Sequence, residues 1–177
     1  MPDNASLIDN RDQLPDAMAV AVVMERRPSD HPWVDEVWTA TGVTGDTQAN
    51  GDHGGDVRIV DEQAGVMRVL HPGFSISLHT DECESYYHNL KSPEPGCYVI
   101  ARNDEDDVPV PYLVSLSFDE ANAYQECEDL VYQVAMPPEM YRWVEYFVLQ
   151  HYVPEKRVKR KRNNWKNSGK QKAGRPS

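Results

Sequence analysis

From residue 17 to residue 135 the chain is mostly short apolar runs, many alternating with a period of two and broken by Gly, Pro, Asn or Asp. Alternation of that kind puts one face of an extended segment in a core and the other in water, and runs this short cannot be long helices. Residues 17–25 are rich in Val, whose branching at Cβ disfavours helix, and predict a central strand ended near Pro28. In residues 34–43, Val37, Thr39, Thr41 and Val43 alternate with Trp38 and Ala40, a second strand. Residues 45–55 read as a loop. Residues 56–60 and 65–70 flank Asp61-Glu62-Gln63-Ala64 as a hairpin, and Phe74, Ile76 and Leu78 alternate with Ser75, Ser77 and His79 in a further strand. Strands are also expected at 97–102, at 130–135, and at 110–116, the last at an edge because Pro111 has no N–H to donate.

Helical signals interrupt the strands. Thr80 is placed to cap a helix carrying Asp81, Glu82 and Glu84 at its positive end and Cys83, Tyr86, Tyr87 and Leu90 in a buried stripe, with Pro93 and Pro95 stopping it. Ser117-Phe118-Asp119-Glu120 is a capping box opening a helix to about Glu128, with Glu120 reaching back. Pro137-Pro138 opens a last helix with the stripe Met140, Trp143, Val144, Phe147, Val148 and His151, closed by Pro154. Strands with few parallel crossovers predict an α+β fold: a mainly antiparallel sheet, able to curl toward a barrel, with three helices packed on it.

Charge divides the chain. Residues 155–177 hold 10 of the 18 Lys and Arg beside one acid, Glu155, a net charge near +9; residues 1–154 hold 28 of the 29 acids and sit near −20. We therefore expect a polar, disordered N-terminus at 1–15, a single domain at 16–154 and a disordered basic tail at 155–177. The longest apolar run, 17–24, falls far short of the ~20 residues of a membrane helix, no cleavage pattern follows it, and Arg26-Arg27 lies on the wrong side of it for a twin-Arg signal. Cys83, Cys97 and Cys127 are widely spaced and odd in number. Reduced thiols in a cytoplasmic protein, with no membrane contact, are the expectation.

No residue set assembles into a catalytic group by spacing alone. His79 and Cys83 lie four apart, but a zinc site wants four ligands, and Cys83 belongs to the apolar stripe. Cys97 and Cys127 as sulfur carriers compete with ordinary core or inert thiols. Asp104, Glu105, Asp106 and Asp107 lack the spacing of a calcium loop and read as a solvated turn. The features that suit recognition are Trp33 and Trp38, the Tyr86-Tyr87 helix, and the cations Lys156, Arg157, Lys159, Arg160, Lys161 and Arg162. Trp165 among those cations could stack on a base, but the acidic body repels nucleic acid, which makes that partner the weaker alternative.

Arg26-Arg27 after an apolar strand, Trp33 and Trp38, Leu78-His79, Glu84 with Tyr86 and Asn89-Leu90, and residues 98–102 form a scattered pattern. Glu120-Ala121 with Tyr124, Met136-Pro137, Trp143 with Phe147 and His151, and Lys159-Arg160-Lys161-Arg162 complete it. Over most of residues 18–162 the chain resembles an uncharacterised bacterial family of unknown function. Its members are often found beside formate dehydrogenase genes and often labelled molybdopterin-guanine dinucleotide biosynthesis protein A. The resemblance implies an accessory role in maturing or assembling a molybdenum or tungsten formate dehydrogenase, with a subunit of that enzyme or a maturation factor as partner. The label implies a guanylyltransferase-type enzyme of cofactor biosynthesis. Such enzymes open with a Gly-rich loop carrying Arg and Lys after the first strand; here that strand ends in Glu25-Arg26-Arg27-Pro28, and the Gly-rich stretch near Asp52 and Gly55 has neither cation. The expectation is a non-catalytic protein-binding accessory protein without a cofactor; the enzyme and the nucleic-acid binder are the alternatives.

Overall fold

The computed structural model describes residues 14–15, 17–46 and 55–154. Along the described residues run β1 (Ala17–Pro28), β2 (Glu36–Gly45), β3 (Arg58–Gln63), β4 (Val66–Ser77), a 3-10 turn (Thr80–Glu82), α1 (Cys83–Lys91), β5 (Gly96–Asn103) and β6 (Pro109–Ser115). Then come α2 (Phe118–Glu126), β7 (Leu130–Ala135) and α3 (Pro138–His151). Every strand pair is antiparallel, in a sheet of order β2-β1-β4-β3 and a sheet of order β6-β5-β7. The class is α+β, as the alternation predicts, but neither sheet closes into a barrel. β2 runs close to β7 and β4 close to β6 without a ladder between them. The apolar faces are covered by α1 and α3, so burying them does not require closed ladders.

The main core is built from period-two positions. Val20, Val22 and Met24 of β1 are fully buried and pack with Cys97 and Val99 of β5, Val134 of β7, and Met140, Val144 and Val148 of α3. The opposite face of β5, through Tyr98 and Ile100, packs on Ala121 of α2 with Leu113, Tyr124 and Val131 beside them. Since β5 is covered on both sides, its sequence is apolar without alternation. A row of charges crosses the outer face of the larger sheet. Glu25, Arg68 and Asp61 sit opposite one another on three strands, with Arg68 2.9 Å from Glu25 and 3.2 Å from Asp61.

Several local expectations are corrected. The strands expected at 65–70 and 74–78 are one strand, β4, which passes through Pro72-Gly73 as a bulge; Val20 pairs with Phe74 and Val22 with His71. Gly73 takes φ 89°, open to a residue without Cβ, so the Pro-Gly signal bends the strand rather than ending it. The β3–β4 hairpin closes on Ala64 and Gly65, both at positive φ, as a two-residue turn requires. Thr80 does not cap α1: it opens the 3-10 turn, and neither that turn nor α1 has a side-chain cap. Instead the His79 N–H donates to the Tyr86 hydroxyl at 3.3 Å. Helix α2 stops at Glu126, before Glu128 turns to φ 66°. Ser117 caps α2 as expected, but Glu120 accepts from the Ser115 hydroxyl rather than reaching back to residue 117. At the N-terminal side, the Trp143 indole N–H donates to the Pro15 carbonyl at 2.8 Å.

Candidate interaction surface

Among the described residues, two places on the surface are candidates for recognition. One is the loop 29–35 between β1 and β2. Ser29 closes it, donating its N–H to the Asp35 carbonyl at 3.0 Å and accepting from the His31 N–H at 3.0 Å on its hydroxyl. The Val34 N–H donates to the His31 carbonyl at 3.2 Å. On this ordered scaffold Trp33 stands 87% exposed beside the exposed Val34. An indole left in water on a braced loop is an unsatisfied apolar group whose ordering cost is already met.

The other is a groove of about 620 Å³ between the C-terminal end of α1, the start of α2 and β5–β7. Its floor is Tyr98, which meets the half-exposed Phe118 edge to face at 6.2 Å. His88, Glu94, Asp119 and Gln133 supply its polar rim, and no Lys or Arg lines it. The Ser92 hydroxyl, also in the wall, is buried without a hydrogen-bond partner.

A polar network under the groove fixes its shape. Asn89 donates to the carbonyls of Gly96 at 2.8 Å and Leu116 at 2.9 Å and accepts from the Gly96 N–H at 3.0 Å, binding α1 to β5 and to the entry of α2. Ser117 donates to Glu82 at 2.6 Å and accepts the Glu120 N–H at 3.1 Å. That commits its only proton, so the Ser85 hydroxyl, 3.1 Å away, donates to Ser117 while accepting from the Asp119 N–H at 3.2 Å. With both hydroxyls engaged in joining helices, this network braces the groove. Burial pushes the nearby Tyr86 phenol up to about 12, keeping it neutral.

The residues picked from sequence are scattered over these features. Trp33 is on the surface. Trp38 is half-buried on β2 and packs against the main core. Tyr86 is buried and meets Phe147 at 6.3 Å, because helical spacing places it on the stripe facing α3. Tyr87 is half-buried and packs on Tyr152 at 5.1 Å. Lys156, Arg157, Lys159, Arg160, Lys161 and Arg162 lie outside the described residues, as does the tail expected at 155–177. Cys83 directs its thiol to the His79 carbonyl at 4.0 Å, and Cys97 is buried 3.3 Å from the Met140 sulfur, its thiol pushed up to about 12 by burial. Among the described residues no group of His, Cys, Asp and Glu is arranged to hold a metal ion, and no helix is long and apolar enough to cross a membrane. Sequence reading missed the groove: His88, Glu94, Tyr98, Phe118 and Gln133 come from separate elements, and no local spacing links them.

A family model described as a protein of unknown function, DUF3305, matches residues 19–162. The chain belongs to that family. The DUF3305 match takes in every strand and helix except the first two residues of β1, so the loop 29–35 and the groove are both within the family's extent. No match was found among curated proteins or among solved structures.

Proposed function

We propose that this DUF3305 protein is a non-catalytic accessory protein of the cytoplasm that works by binding another protein. The observation that carries the reading is Trp33, an exposed indole on a hydrogen-bonded loop, the kind of rigid aromatic anchor that supplies most of the energy of an interface. Three free cysteines suit a reducing compartment. The family resemblance to proteins found beside formate dehydrogenase genes supplies the partner: a subunit of a molybdenum or tungsten formate dehydrogenase, or a factor that matures it. Recognition then combines the Trp33 anchor with steering by the cations of residues 155–177.

Calorimetry with the full chain against purified formate dehydrogenase subunits and maturation factors tests this. One of them should bind, and Trp33→Ala should weaken that binding by about 30-fold or more, the equivalent of about 2 kcal/mol, while leaving the melting temperature unchanged. Equal affinity of the variant, or no binding by the unaltered chain, overturns the reading.

A further inference from the structure

Helix α3 ends at His151, and the ring of the following Tyr152 lies 5.1 Å from that of Tyr87. Tyr87 in turn lies 5.6 Å from the ring of His88, which forms one wall of the groove. The chain therefore leaves α3 two ring contacts away from the groove. From Tyr152 an extended chain covers about 13 Å by Lys156, enough to bring the first basic side chain to the His88 wall. The segment that begins there, residues 156–162, carries six cations and no acid. The groove is its chemical complement: Glu94 and Asp119 line it and no Lys or Arg does, the Lys91 ammonium lying instead over the Tyr87 ring at 5.9 Å, and the half-exposed Phe118 offers a ring face on which a guanidinium stacks.

We propose that this groove holds the chain's own basic segment, residues 156–162, in cis. Covalent linkage supplies an effective concentration in the millimolar range across so short a connection, so even a weak charge-assisted fit is occupied most of the time. A seated segment masks part of the acidic body and withdraws its cations from nucleic acid. The inference rests on the groove and on charge and is independent of the Trp33 anchor; the cations of residues 156–162 then steer a partner only while the segment is unseated.

Carbodiimide crosslinking of the full chain, mixed as isotope-light and isotope-heavy copies, tests it, since the reagent joins only carboxylates and amines in direct contact. Glu94 or Asp119 should be joined to Lys156, Lys159 or Lys161 within one copy. The yield should fall several-fold in about 1 M salt, where the screening length shrinks to about 3 Å. It should fall likewise in the triple variant Arg157→Gln/Arg160→Gln/Arg162→Gln, which keeps every reacting group, and the amide signals of Phe118 and Asp119 should shift in that variant. Crosslinks formed only between copies, crosslinks running instead to the acidic turn at 104–107, or yields indifferent to salt and to the variant each overturn the proposal.

Discussion

Asn89 shows how one side chain can decide a local geometry. It satisfies three backbone groups at the junction of α1, β5 and the entry of α2, and it is buried. Truncating it strands those groups in the interior. Asn89→Ala should cost about 3 kcal/mol, read as a shift of the urea midpoint with an unchanged slope. Asp129 makes the corresponding point for charge. It accepts from Arg102 at 2.6 and 3.0 Å and from the Tyr112 hydroxyl at 2.7 Å, and the hydrogen bond from Arg102, then that from Tyr112, holds its carboxyl below the usual carboxylate range. A carboxyl with a depressed folded value stabilises the fold above its unfolded value of about 3.9 and loses that contribution as pH falls through the folded one. Melting temperature should therefore drop more steeply below about pH 4 in the unaltered protein than in Asp129→Asn. Parallel pH profiles for the two would remove Asp129 as a source of acid lability. Neither role was legible in the sequence, where Asn89 reads as a polar helix position and Asp129 as one acid in a turn.

At the scale of the element, local rules carry far where the signal and its partner lie in one segment. Ser117 caps α2 because the hydroxyl and the Glu120 N–H are three residues apart, and alternation found the strands because period two is a property of a single strand. The rules failed where a neighbour intervened. Pro72-Gly73 reads as a terminator but is bridged by pairing of β4 with β1, and Thr80 loses the cap position because the chain enters α1 through a 3-10 turn. Ser117 also shows a cap extended by tertiary contact, since its hydroxyl holds Glu82 and Ser85 as well as its own helix. Ser117→Ala should cost about 2 kcal/mol, the upper end for a cap, and Ser117→Thr, which keeps the oxygen, should cost less. A loss of only a few tenths in Ser117→Ala would mean that the link to α1 contributes nothing.

Across the whole molecule, burial sorts residues that look alike in sequence. The apolar stripe marks Cys83 as buried, but Cys97 and Cys127 carry no such local mark, and Cys97 is buried while Cys127 is exposed. Iodoacetamide under native conditions should label Cys127 first, with Cys83 and Cys97 reacting only as the fold opens; peptide mass spectrometry reads the order. Early labelling of Cys97 would contradict both its burial and its raised thiol, and would reopen a sulfur-carrying role. The same sorting leaves Trp33 in water and folds Trp38 against the core five residues later.

Sequence alone determined the α+β class, the position of nearly every strand and helix, the edge placement of β6 and the division of charge between residues 1–154 and 155–177, because periodicity, turn chemistry and charge are written in contiguous residues. Only the tertiary structure decided that the sheet is two sheets rather than a curled one, which aromatic stands in water and which is core, and that a groove lined by acidic residues exists at all. Those depend on contacts between residues far apart in the chain, such as Asn89 with Leu116 and Tyr98 with Phe118, and no local spacing encodes which distant surface a side chain will meet.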